Sequence, residues 1–394
     1  MSERVFLFDI DGVLVEPIGY RKVTEATITY FTERMGIGSR YPGDEVMDQF
    51  EARSIGSEWD ICALCLAGLL NAAQAAHPEE MLPDDLLSAC EAIRGWGSGV
   101  PEVDYTAIAE RLALDFQPGL TFAEQAYHLS QPGKPGPLFP LLMGNALLEQ
   151  ILAHSRDIHV SPVTRVFQEF AIGAEAFTQA YQIAAETQSE AFLRVYDQPL
   201  LDGALSSLVR RGWEGGELHA AAYTLRPSRV RQAVNTCELP YSPEAELALD
   251  TVGLAGIPLV GYGQVCHLAR SSGLPADRIA KPSMIHALGA IGAAVTRDEV
   301  RSLADAARWA ADPAAPGIFA SLPALDITVF EDSPWSIRAV QQAGELLAGM
   351  GVPARVSAYG ISRSPVKVMA LLETGAISAQ EINSALRRAL GLAG

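Results

Sequence analysis

Lysine is scarce in this chain. Only Lys22, Lys134, Lys281 and Lys367 occur among 394 residues, and acidic side chains outnumber basic ones to a formal charge of −18. A mean field of that sign repels polyanions, which excludes a broad nucleic-acid or anionic-membrane footprint but leaves room for a small anion wherever positive groups gather locally. The setting of each lysine is therefore worth reading. Cysteine is also sparse, with five in all. Cys62 and Cys65 have C-x-x-C spacing, yet they lie in the apolar helical stretch Ile61-Cys62-Ala63-Leu64-Cys65-Leu66-Ala67-Gly68-Leu69-Leu70 with no second pair, so they read as buried thiols and not as a zinc site. No run approaches eighteen residues without a charged or strongly polar residue, and the N-terminus enters a strand within four residues, so no membrane span or signal peptide is expected and the location expected is cytoplasmic. The seven histidines are scattered and suggest no metal set.

What is present is an apolar fraction of 49%, enough over this length for two domains with real cores. The chain is organised around Val5-Phe6-Leu7-Phe8-Asp9-Ile10-Asp11-Gly12-Val13-Leu14, an apolar run ending in two aspartates one residue apart and a glycine. Such a run reads as a strand buried on both faces, with Asp9 and Asp11 where it leaves the sheet, the edge at which open α/β sheets hold ligands. A calcium loop would need acidic or amide groups at its first, third and fifth positions, glycine at the sixth and glutamate at the twelfth, and Leu14 and Tyr20 stand at the last two. The pair instead suits covalent catalysis by one carboxylate and proton transfer by the other.

After Leu14, helical spacing replaces strand signals for about two hundred residues, a whole domain's worth. Helices are expected over 22–35, 60–76, 104–114, 141–153 and 163–193, the last carrying Phe167, Phe170, Ala171, Ala174, Phe177, Tyr181 and Ala184 at three- and four-residue intervals. Proline- and glycine-rich breaks fall at 95–101 and 131–137, and the second reads equally as a mobile flap or a plain connector. From about residue 213 strands return, at 219–224, 257–262, 327–332 and 354–359, each followed by helices among 228–235, 264–271, 283–294, 335–349 and 378–390. Strands alternating with helices predict a parallel doubly wound sheet of five strands, with the helical region inserted after the first.

Several strand ends or following loops carry groups suited to phosphate. Thr224 offers a hydroxyl and Leu225 the next backbone N–H, Lys281 stands just before a helix opened by Pro282, and Glu331-Asp332 closes the fourth signal. Asp9, Glu331 and Asp332 would converge, and two like charges at 4 Å repel by about 4 kcal/mol at an effective dielectric of 20. Such an oxygen cluster calls for a cation, and with phosphate nearby it favours magnesium. Arg226 and Arg229 read as a solvated helix start or as contacts for a second anionic group. Trp335 reads as core or as the floor of the site, and His286 as buried and hydrogen-bonded.

Taken in order, Asp9-Ile10-Asp11-Gly12, Thr224, Lys281 and Glu331-Asp332 resemble the four motifs of the haloacid dehalogenase (HAD) superfamily of phosphotransferases. The Glu331-Asp332-Ser333 form, with Ile337, Ala339 and Val340 following, is closest to the branch of β-phosphoglucomutase and phosphoglycolate phosphatase. The resemblance implies a Rossmann-like parallel-sheet core over 1–15 and 213–394 and a large, mostly α-helical cap domain over 16–212, far longer than that branch's usual cap. An extra helix and Pro-rich loop are expected over about 296–323. It further implies Asp9 as nucleophile, Asp11 as acid and base, and Thr224, Leu225 and Lys281 around the phosphoryl group. Mg2+ would be held by the Asp9 side chain, the Asp11 carbonyl, Glu331 and Asp332. The implied activity is hydrolysis of a small phosphorylated metabolite. A phosphomutase, or a regulatory scaffold on the same fold, is the alternative.

Overall fold

The computed structural model describes residues 2–392 apart from 98, 116, 118, 232 and 235. The first strand, β1 (Glu3–Phe8), is fully enclosed from Val5 onward. Its alternation sorts side chains between two cores: Val5 and Leu7 join one cluster, Phe6 and Phe8 the other. That is the pattern expected of a strand covered on both faces. The remaining strands in chain order are β2 (Val15–Glu16), β3 (Gln198–Pro199), β4 (His219–Tyr223), β5 (Leu259–Val260), β6 (Leu325–Glu331), β7 (Ala354–Ile361) and β8 (Ile377–Ala379). Six of them form one parallel sheet in the order β5-β4-β1-β6-β7-β8, while β2 and β3 make a separate antiparallel ribbon. Succession thus runs outward in both directions from β1, which puts the switch point of the sheet at the carboxyl end of that strand. The helices Tyr262–Ser272, Met284–Thr296 and Pro334–Gly349 cover one face, and Gly203–Glu214, Glu244–Thr251 and Ile382–Leu390 the other. The fold is α/β and Rossmann-like.

The chain divides into two units, residues 1–18 with 196–394 and residues 19–195. The second is built of helices, among them Ile18–Arg34, Glu58–Ala76, Leu86–Trp96 and Tyr105–Leu114. Glu58–Ala76 is long and apolar enough to cross a membrane, but 67% of its apolar window is buried within the protein. Cys62 and Cys65 lie on it, fully buried, as expected of core thiols. The unit boundaries differ from 15/16 and 212/213 because Gly203–Glu214, expected in the insertion, places Leu205 and Val209 in the same core as Phe6 and Phe8.

Four local expectations are corrected. The stripe over 163–193 is two helices, Pro162–Ile172 and Ala174–Tyr181, after which the chain turns back. Gly173 between them has φ 85°, and a Cβ there would lie 2.9 Å from the Ala191 amide, while buried Glu169 accepts the Glu186 and Thr187 amides at 2.9 and 2.7 Å. Over 141–153 the expected helix is broken at Met143–Asn145: a 3-10 turn, Pro140–Leu142, precedes the break, and helix runs only from Ala146 to Ala153, the α turn Ala146–Leu148 passing into the wider π turn Glu149–Ala153. Residues 228–231, 233 and 234 form no helix, because the Ser228 amide donates to the Pro240 carbonyl (3.0 Å) and the Arg229 amide to Glu246 (2.8 Å); Gln232 and Asn235 fall outside the described residues. Ser378 and Ala379, expected to open the last helix, lie instead in a sixth sheet strand, Ile377–Ala379, beside β7, and the helix begins at Ile382.

The expected extra helix after residue 296 is Glu299–Ala311, and it lies tightly on Met284–Thr296. A Cβ at Gly289 would meet Leu303 Cδ1 at 2.6 Å and Leu303 Cα at 3.2 Å, and one at Gly292 would meet Ser302 Cβ at 2.9 Å. Gly289→Val should therefore destabilise the protein by about 1–3 kcal/mol in urea denaturation, the usual cost of overpacking. Gly349→Ala, where no atom lies within 4 Å of the added carbon, should leave the midpoint unchanged or slightly raised.

Candidate active site

At the end of β1 the Asp9 amide donates to the Phe330 carbonyl (3.0 Å), and the chain then turns sharply, with the Leu14 and Val15 amides both returning to the Ile10 carbonyl at 2.8 and 3.0 Å. Gly12 makes the turn possible at φ 73°, and a side chain there would press within 3.1 Å of Asp332 Oδ2. The β1 turn and the end of β6 are thereby pressed together, which brings Asp9, Glu331 and Asp332 into one cluster: an oxygen from each lies within 4.8 Å of the others.

Lys281 sits inside this cluster. Its Nζ lies 2.7 Å from Asp9 Oδ1 and 2.9 Å from Glu331 Oε2, and 3.9 Å from the centre of the Tyr223 ring. The Tyr223 hydroxyl donates to the same Glu331 Oε2 at 2.7 Å, and the Ser333 amide donates to Oε1 at 3.2 Å. Burial pushes the Asp9 carboxyl well above the usual range, the Glu331 charge pushes it further, and the Lys281 ammonium pulls it back. Burial opposes the charge on Lys281, but Asp9 and Glu331 outweigh it and its pKa lies above that of an ordinary lysine. Burial, then Glu331 and Asp9, drive the Tyr223 phenol well up, so it remains a donor.

The backbone of Lys281 is fixed from beneath. Its amide donates to His286 Nδ1 at 3.0 Å, so the ring proton sits on Nε2 and is donated to the Val260 carbonyl at 2.9 Å. Burial lowers His286 to about 4, which keeps the ring neutral. The expected buried, hydrogen-bonded histidine is found, and its role is to hold Lys281.

Asp332 faces a lysine whose part in the site was not foreseen: Lys367 Nζ lies 2.7 Å from its Oδ2, with the lysine side chain largely exposed. Burial raises the Asp332 carboxyl and Lys367 lowers it. Two of the four lysines in the chain thus converge on one carboxylate cluster. The carboxylates of Asp9, Glu331 and Asp332, with one oxygen of each within 4.8 Å of the others, form a group that could hold a metal ion.

Asp11 is turned elsewhere. Arg226 Nε donates to its Oδ1 and Oδ2 at 2.9 and 3.1 Å, and Nη2 donates to Oδ1 at 2.5 Å. The other edge of the same guanidinium meets Asp197, with Nη1 2.9 Å from Oδ2. Arg226 is 3% exposed, which corrects the expectation of a solvated helix start; Arg229 is the exposed one. Thr224, at the end of β4, is buried and takes the Arg226 amide on Oγ1 at 3.2 Å, leaving its O–H as a donor, and Leu225 beside it is half exposed. Trp335 is not core: it is 65% exposed, with the Arg338 guanidinium 5.1 Å from the centre of its ring.

Because His286 titrates at 6.5 when unfolded and near 4 when folded, its neutral form favours the folded state above pH 6.5, and that stability is lost as pH falls towards 4. The full effect is about 3 kcal/mol. Urea midpoints measured from pH 7 to 4.5 should fall less steeply in His286→Gln than in the wild type. Against known proteins, no family model and no curated sequence matches the chain. A solved structure does: an X-ray structure determined as a Northeast Structural Genomics Consortium target superimposes with TM-score 0.60 at 13% identity, over 99% of this chain and 98% of the other. At that identity the likeness is one of fold alone.

Proposed function

We propose that this protein is a magnesium-dependent phosphatase of the HAD type, acting on a small phosphorylated metabolite through an aspartyl-phosphate. The observation that carries the reading is Lys281 shared between Asp9 and Glu331 at the switch point of a parallel sheet, with Asp332 alongside. Oδ1 of Asp9 already receives the Ile10 amide (2.8 Å) and Lys281, which directs Oδ2 to the incoming phosphorus. The bond from Oδ2 to phosphorus forms as the ester P–O bond breaks, and Asp11 gives its proton to the departing oxygen. Water then attacks phosphorus, returns a proton to Asp11, and releases inorganic phosphate as the Asp9–phosphorus bond breaks. The Thr224 hydroxyl, the Leu225 amide and the Lys281 ammonium meet the phosphoryl oxygens. Magnesium, held by Asp9, the Asp11 carbonyl, Glu331 and Asp332, would neutralise charge on the transferring group.

Purified protein should hydrolyse p-nitrophenyl phosphate or acetyl phosphate only with Mg2+ present. Asp9→Asn should abolish turnover and Lys281→Met should lower kcat on the order of a hundredfold or more. With phosphosugars, release of inorganic phosphate distinguishes hydrolysis from a mutase, which conserves ester phosphate. Absence of turnover across a broad panel of phosphate esters with magnesium overturns the reading.

A further inference from the structure

The pairing of Arg226 exceeds what its burial requires. The guanidinium is 2% exposed and the Asp197 carboxylate 0%, so that one contact already neutralises the buried charge. A structural ion pair would stop there. Instead the opposite edge of the fork, Nε and Nη2, is turned outward and takes both oxygens of Asp11, whose side chain is 38% exposed. A planar donor fork on both oxygens fixes the rotation of a carboxylate, which a point charge cannot do. The same residue donates its amide to Thr224 Oγ1, so one side chain and its backbone set the proposed proton donor and the proposed phosphate contact together. The anchor is itself held: Asp197 directly precedes β3, which pairs with β2 (Val15↔Pro199), four residues beyond Asp11.

We propose that Arg226, anchored by Asp197, is the positioning residue for Asp11, holding that carboxylate in one orientation for both proton transfers. The inference rests on the phosphatase reading and adds to it two residues outside the four motifs. Loss of orientation matters most where the leaving oxygen needs a proton. An alkoxide does, and p-nitrophenolate leaves without one.

The test compares glycerol 2-phosphate with p-nitrophenyl phosphate in the wild type, Arg226→Lys, which keeps the charge and loses the fork, and Asp197→Asn, which keeps the volume and removes the anchor. In both variants kcat for the alkyl ester should fall at least about tenfold further than kcat for the aryl ester, with KM changing little. In an Asp11→Asn background, Arg226→Lys should cause no further loss on the alkyl ester, since its effect passes through Asp11. If Arg226→Lys does not fold, Asp197→Asn carries the same comparison. Equal losses on both esters, or full additivity with Asp11→Asn, overturn the positioning role while leaving the phosphatase intact. A wild-type protein that turns over neither ester overturns the phosphatase reading and the positioning role with it.

Discussion

The arrangement of this carboxylate cluster depends on a lysine ammonium buried between two of its members. Without it Asp9 and Glu331 would face each other inside the protein with Asp332 close by, and repulsion at such distances reaches several kcal/mol. Lys281 relieves this, and its own desolvation is offset by two anions and the face of Tyr223. The lysine can occupy that place because its backbone is tied to His286, on a helix packed against the sheet, and because His286 is in turn tied to Val260 at the end of β5. The position of Lys281 at the edge of the sheet therefore rests on the hydrophobic core through a short series of hydrogen bonds.

The topology supplies the rest. β1 has β4 on one side and β6 on the other, so three adjacent strand ends deliver Asp9, Thr224 and the Glu331-Asp332 pair to one edge. Parallel pairing is what makes this possible, since every sheet strand ends on the same side. Glu331 has become mainly an organiser, with Tyr223 and Lys281 sharing one oxygen and Ser333 touching the other, whereas Asp332 looks outward to Lys367. Adjacent carboxylates in sequence thus have distinct environments.

Much of this was legible in the amino-acid order, for physical reasons that differ from element to element. β1 and β6 are read correctly because strands buried on both faces need apolar runs, and the acidic residues that end them, Asp9 and Glu331-Asp332, stand out; β4 and β7 show instead by short apolar stretches between helical segments. β8 is missed because three residues, Ile377 to Ala379, carry too little periodicity to compete with the helix pattern after them. The stripe from Phe167 to Ala184 keeps helical spacing across Gly173, so the break shows only in the backbone angle there. Lys367 and Asp197 are missed at the site for a different reason: their partners lie 35 and 29 residues away along the chain, and ion pairs across such loops leave no periodic trace.

The insertion between β1 and β4 also orders events in time. The central strand of the sheet is made first, yet its first partner, His219 to Tyr223, emerges only after the whole of residues 19–195, and its second, Leu325 to Glu331, later still. At ~5–20 residues per second a ribosome takes roughly 10–40 s to reach β4. Throughout that interval the nascent chain carries Val5 to Phe8 without their sheet partners, an apolar segment prone to pairing with other chains. Residues 19–195 form a compact unit of their own and are synthesised whole in that interval, so the N-terminal strand waits unpaired until β4 appears.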